Sequence, residues 1–186
     1  FQGIGGGPGP IGVHEMAERL IESGQFEGPA PRQHLSQNME HSPIHHAWQA
    51  KREQLIPEDF PSHDVEVYSD YLMNKGPAYG QVGGVHDILK ASNGETYVVE
   101  RNDAVTAKIL FESIEGIDIM TPGAVALASL QQALASGEIA PSSCTVLNIS
   151  GGGVERLKHE HATTVVEPWL RVTKANGASM ILEALQ

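Results

Sequence analysis

The sequence has little that would bridge the chain covalently or carry it into a membrane. One cysteine, Cys144, among 186 residues excludes an internal disulfide and fits a reducing, cytoplasmic setting. No apolar run approaches the roughly 20 residues of a membrane span, and no secretory signal is visible. Basic residues are scarce: 12 Lys and Arg stand against 23 Asp and Glu, a net charge of −11. That balance argues against nucleic acid or an anionic membrane as a partner. An initiating methionine is missing too. Phe1-Gln2-Gly3 reads either as the remnant of a protease site or as the natural end of a strand, and in both cases a longer protein is expected.

What is present is ordinary for a folded domain. Hydrophobic residues make up 40% and charged residues 19%, enough for one sizeable core or two small lobes. The opening "FQGIGGGPGPIG" is a strand end and a glycine loop, followed from Ile11 by a helix with Val13, Met16, Ala17, Leu20 and Ile21 on one face and Gly24 as its stop. "QHLSQN" (33–38) reads as a short strand. "SPIHHAWQAKREQL" (42–55) reads as a helix capped by Ser42 with Pro43 at its first position. Residues 56–81 are rich in Pro, Asp, Ser and Tyr and are expected to be irregular, at the surface or lid-like.

Alternation follows. A helix is expected over 82–92 with Val82, Val85, Ile88 and Leu89 on one face, then an Asn93-Gly94 turn and a strand over 95–100. Helices are expected over 102–116 and 121–137, the second apolar all round in its first half and therefore buried. "CTVLNI" (144–149) reads as a β-branched strand leading into "SGGG" (150–153), with one more strand within 163–172 and a last helix over 178–186. Helices alternating with short strands indicate an α/β fold with a largely parallel sheet.

Two of these segments pair a strand end with glycines. In "GIGGGPGPIG" the glycines let backbone N–H groups approach a ligand, and the following helix adds partial positive charge, as an anion site requires. It is neither a Walker loop nor a G-x-G-x-x-G loop, and by itself it could equally be a flexible terminus. "LNISGGG" places Ser150 at a strand's carboxyl end, where ligands bind in open α/β sheets; alone, it could be a turn of small residues.

Together, and with "HLSQN", "GGVHDILK" and "EGIDIMTPGAVALASLQQA" in the same order, they resemble the C-terminal portion of the pyridoxal-phosphate (PLP) enzymes of the tryptophan-synthase β type, fold type II, and within it the cysteate synthase and threonine synthase families. The resemblance spans roughly residues 1–153. It implies that Gly5, Gly6, Gly7, Pro8 and Gly9 surround the cofactor phosphate, that Ser150 faces the pyridine nitrogen, and that Gly151 to Gly153 let the backbone pass close to the ring. A hydroxyl at that nitrogen, unlike a carboxylate, leaves the ring a weaker electron sink, which suits β-elimination and replacement. The implied reaction is O-phosphoserine plus sulfite giving cysteate and phosphate, on a small amino-acid substrate, in a homodimer. The alternatives are a threonine synthase-like lyase, or a non-catalytic fragment or partner subunit that holds a phosphorylated ligand.

The sequence also departs from that pattern. The loop resembles a Gly-Ser-Gly-Thr-Gly type, but its hydroxyl residues are absent, with Gly7 and Pro8 in that stretch, and Pro8 has no N–H to donate. The Schiff-base lysine and the asparagine loop for the substrate carboxylate belong upstream in that family. Lys51, Lys75, Lys90, Lys108, Lys158 and Lys174 have no counterpart there and read as solvated, so no catalytic residue is assigned.

Among the other polar residues, His41 and His45 stand four apart. Pro43 places a helix start between them and no third ligand has fixed spacing, so no metal is expected. Arg32, His34, His45 or Arg52 could help bind an anionic substrate near "HLSQN". His159 and His161 read as an exposed pair on a strand, Cys144 as buried and inert, and Trp48 and Trp169 as packing residues.

Overall fold

The structure is a computed structural model that describes residues 1–164, 166–172 and 176–185. Lys174 and one residue in each of two expected elements, Val165 in the 163–172 strand and Gln186 in the last helix, lie outside the described residues. The chain divides into two units, Phe1–Val154 and Glu155–Gln186.

The first unit is built on three parallel strands in the order β1 (Gln2–Gly3), β2 (His34–Asn38) and β3 (Glu95–Val99), with Gln2 opposite Leu35 and His34 opposite Glu95. Five helices surround them: α1 (Pro8–Glu22), α2 (Pro43–Gln49), α3 (Val85–Ala91), α4 (Arg101–Glu115) and α5 (Thr121–Ala135). All five residues of β2 are buried, as a strand covered on both faces must be. Successive side chains alternate between those faces. Leu35 packs with Ile4, Ile44, Ala47, Tyr79, Val85 and Leu89 beneath α2 and α3. On the other face Val99 packs with Leu72, Ala104, Ala107, Val125 and Ala128 beneath α4 and α5. The small residues of α5 let it lie close across the sheet, and Ala124, Val125, Ala126 and Ser129 are fully buried.

The expected α/β fold with a largely parallel, helix-flanked sheet is the fold observed, but its boundaries differ in instructive ways. Helix α1 starts three residues earlier than the apolar spacing suggested, because Gly7 takes a left-handed conformation (φ 93°) that lets Pro8 enter the helix directly. Its apolar face is uncovered: Val13, Met16 and Leu20 are exposed. Helix α2 ends at Gln49 rather than Leu55, where Lys51 turns left-handed (φ 54°) and the Arg52 N–H donates to Ala47 O. The next residue, Arg52, grips Asp59 directly after this turn.

Residues 56–81 are irregular and in good part at the surface, as expected, but they also reach the core. Two 3-10 turns, Pro57–Asp59 and Asp70–Leu72, organise them. Val67, Leu72 and Tyr79 enter the core, Tyr79 with no exposed surface and its hydroxyl donating to Arg52 O at 2.8 Å. Val82, expected on the buried face of α3, is almost fully exposed because the helix begins only at Val85.

The segment 144–149 is extended but exposed for most of its length, and Cys144 is exposed, not buried. It meets the sheet at one rung: the Phe1 amino group donates to Val146 O (2.8 Å) and the Asn148 N–H to Phe1 O (2.9 Å). That is the bonding of a parallel pair with Leu147 opposite Phe1, so the expected strand sits beside β1 with Phe1, the residue just before β1, as its sole backbone partner among the described residues.

The second unit contains α6 (Val154–Glu160, whose first residue belongs to the first unit) and α7 (Gly177–Ala184). Neither buries a side chain. His159 therefore lies on a helix rather than a strand, beside the Arg156–Glu160 and Lys158–Glu155 ion pairs. Trp169, expected to pack, is exposed.

Candidate functional site

β1 runs straight into the glycine loop, so the loop lies at the carboxyl end of the parallel sheet. A cleft of about 450 Å³ opens there, lined by Gln2 to Pro10, Tyr71, Leu72, Met120, Pro122 and Ser150. The two segments singled out in the sequence, Gly5 to Gly9 and Ser150, are thus brought together although far apart in the chain. A larger cavity, about 730 Å³, lies at the amino ends of β1 and β2 among Arg32, His34, Glu138 and residues 143–149. Ligands of open parallel sheets bind at the carboxyl ends, which favours the smaller cleft.

The loop's donors are free. Pro8 and Pro10 carry no N–H, and the Ile11 N–H returns to Gly7 O. Among the described residues the N–H groups of Gly5, Gly6, Gly7 and Gly9 have no hydrogen-bond partner, while Gly6 O accepts from Ala78 N at 2.8 Å and holds the loop in place. Unpaired donors at the start of a 15-residue helix suit an anion such as a phosphate. The wall opposite is the 70–72 turn: a Cβ on Gly5 would stand 3.1 Å from Tyr71 O. A buried network fixes that turn. The Asn38 amide donates to Ser69 O and accepts from Ser69 N, both at 3.0 Å, and the Thr121 hydroxyl donates to Ser69 Oγ at 2.9 Å.

Ser150 is exposed in the cleft, and its hydroxyl has no partner among the described residues. Gly151 to Gly153 do not line the cleft. Their backbone runs against residues 118–120: Met120 N donates to Gly151 O (2.9 Å), Gly153 N donates to Asp118 O (2.8 Å), and Ile119 bridges Gly152.

The basic and histidine residues are engaged elsewhere. Arg52 forms two bonds to the buried Asp59 carboxylate. Burial pushes the Asp59 carboxyl up, but the Arg52 guanidinium and the Ile56 N–H outweigh it and hold it below the usual range. Arg32 pairs with Glu138. His34 stacks on Phe1 and meets the Tyr97 hydroxyl at 2.8 Å. Burial, then the Arg32 charge, pushes it down to about 4. His45 meets Thr96 Oγ1 at 2.9 Å and is also lowered, first by burial and then by His46. His41 Nε2 lies 3.0 Å from Asn74 O, and His46 Nδ1 lies 3.0 Å from Asp59 O. Arg32, His34, His45 and Arg52 therefore do not gather at the cleft, and the four neighbouring histidines face four different partners.

No lysine lines the cleft among the described residues. Lys108 is held by Glu112 and raised by that hydrogen bond. Sequence reading missed the wall of the cleft, Tyr71 and Leu72, because they lie in the segment without periodicity. The one available signal was a run of large residues, "YLM", inside an otherwise polar loop. Among the described residues no helix is long and apolar enough to cross a membrane.

No family model matches the chain. It is similar to cysteate synthases: 40% identical over its full length to that of Methanosarcina barkeri, covering 45% of the relative, and 46% identical over 92% of its length to that of Methanocella arvoryzae, covering 42%. The chain thus spans less than half the length of the curated relatives it matches. Among solved structures it superposes on the threonine deaminase of T.th. (TM-score 0.54, 16% identity, 81% of this chain and 48% of that one). It also superposes on the L-serine ammonia-lyase of Rhizomucor miehei (TM-score 0.55, 14% identity, 84% and 46%). In sequence the chain is therefore a relative of cysteate synthases, and in fold it is a portion of the fold type II architecture.

Proposed function

We propose that this chain is the cofactor-holding C-terminal portion of a PLP-dependent β-replacement enzyme that acts as a cysteate synthase, joining sulfite to the β-carbon of O-phosphoserine and releasing phosphate. The observation that carries the reading is the meeting of the glycine loop's unpaired N–H groups and Ser150 in one cleft. The donor set fits the group: four free backbone N–H groups suit a phosphate, and a lone hydroxyl across the cleft suits an uncharged ring nitrogen.

Bound there, PLP would supply the electron-withdrawing ring that makes the substrate's α-proton removable and its β-substituent expellable. The chain's own residues do the rest. Gly5, Gly6, Gly7 and Gly9 hold the phosphate through the backbone, and Pro8 and Pro10 stiffen the helix entry so the donors stay aimed. Ser150 holds the pyridine nitrogen without protonating it, and Gly151 sets the position of Ser150 through its bond from Met120. Leu72, Met120 and Pro122 give the cleft its apolar lining. The Schiff-base lysine comes from the portion of the protein outside this stretch, and the working enzyme is a cytoplasmic homodimer.

The test is the full-length protein with added PLP. It should gain a visible absorbance band and release phosphate from O-phosphoserine in a sulfite-dependent manner. Protein that stays colourless overturns the cofactor assignment. Coloured protein that releases phosphate without need of sulfite points instead to plain β-elimination, a lyase rather than a replacement reaction.

A further inference from the structure

The cleft is poor in side-chain donors. Of its lining residues, Gln2, Tyr71 and Ser150 alone carry polar side chains, and Tyr71 is the one with an ionisable group. Gln2 turns its amide toward Gly9, and Ser150 stands across the cleft from the loop. The loop itself carries no hydroxyl side chain, and two of its positions, Pro8 and Pro10, lack an N–H. An anion held here would keep oxygens that the backbone alone does not satisfy.

Tyr71 is placed to fill that need. It is 69% exposed although its neighbour Leu72 is buried in the core at 4%, and its hydroxyl has no partner among the described residues. Its turn is not a loose loop. Asn38 and Ser69, both without exposed surface, clamp it from the carboxyl end of β2, and Thr121 clamps it from the start of α5. The backbone of the same turn packs directly on Gly5, which fixes Tyr71 beside the loop. Three polar groups thus hold in place a turn that brings an exposed aromatic residue with an unpartnered hydroxyl to the cleft lining.

We propose that Tyr71 is a phosphate-contacting residue: its hydroxyl donates to the anion cradled by Gly5 to Gly9 and replaces the hydroxyl donor that the loop lacks. The inference rests on the PLP reading above. It is tested on the full-length apoprotein by titrating PLP and, separately, pyridoxal, which lacks the phosphate, and by recording the ³¹P resonance of bound PLP. Tyr71→Phe should weaken PLP about tenfold, the loss of one hydrogen bond to a charged group. It should leave pyridoxal unchanged, shift the ³¹P resonance, and leave the unfolding midpoint of the apoprotein where it was. Equal weakening of both ligands would make Tyr71 a ring contact and overturn the proposal, as would unaltered PLP affinity. Wild-type protein that binds neither ligand would overturn the PLP reading itself, and the proposal with it.

Discussion

The two glycine loops look alike in sequence and behave differently in the structure. The opening loop leaves its N–H groups unpaired and faces the cleft. The later loop spends its backbone on residues 118–120 and gives the cleft a single side chain, Ser150. In the first, glycine leaves donors available to a ligand. In the second, glycine allows two stretches of backbone to touch: a Cβ on Gly152 would stand 2.5 Å from Asp118 O. A glycine run is therefore not by itself a binding loop. What separates the two cases is where the hydrogen bonds go, and that depends on a partner segment distant in the chain.

The most damaging single change should be in the opening loop. Gly7 has φ 93°, and an added Cβ would run into Val85 Cγ2, a residue with no exposed surface. Backbone strain and overpacking then act together, so Gly7→Ala should cost about 3 kcal/mol or more and abolish PLP binding by the full-length protein. Chemical unfolding and a cofactor titration check it. A variant that unfolds at the wild-type midpoint would show that the loop is not locked as described, and the contrast between the loops would fail.

Much of the fold could be read from periodicity and turn chemistry. The apolar run at the head of α5 announced a buried helix, and Gly116 and Gly137 marked helix ends that the structure reproduces with φ 68° and 77°. The site was half legible: two strand-ending glycine segments were identifiable, but their separate roles were not. The wall carrying Tyr71 was invisible because a 3-10 turn clamped by Asn38, Ser69 and Thr121 has no period to detect. Cys144 was misplaced for a related reason. "CTVLNI" has the composition of a central strand, yet it lies beside the very start of the chain and makes one rung only, with Phe1. β-propensity reports fitness for a covered surface; which surface is covered is a tertiary matter.

A smaller effect is expected at Gly152. The clash there is with a backbone oxygen, which cannot swing aside as a side chain can, so Gly152→Ala should lose the Ile119 bridge and cost about 2 kcal/mol. Because Gly152 does not line the cleft, PLP affinity at a temperature where the variant is folded should fall far less than for Gly7→Ala. Equal losses of affinity in the two variants would mean that both loops serve the ligand in the same way.

The smallest effect, and the most discriminating, should come from Gly151→Ala. Its Cβ would meet Met120 Sδ at 2.8 Å, the far end of a flexible and polarisable side chain that can rotate away. The Gly151 carbonyl that accepts from Met120 N is untouched by the substitution. The unfolding free energy should therefore change by less than about 1 kcal/mol, and PLP affinity should stay within about threefold of wild type, a difference below about 1 kcal/mol. Gly151 and Gly7 were alike as sequence candidates for the cofactor, so this pair of variants divides them. A Gly151→Ala protein of unchanged stability that binds PLP about ten times more weakly would place Gly151 against the ring and erase the distinction between a loop that leaves its backbone for a ligand and one that spends it on the protein.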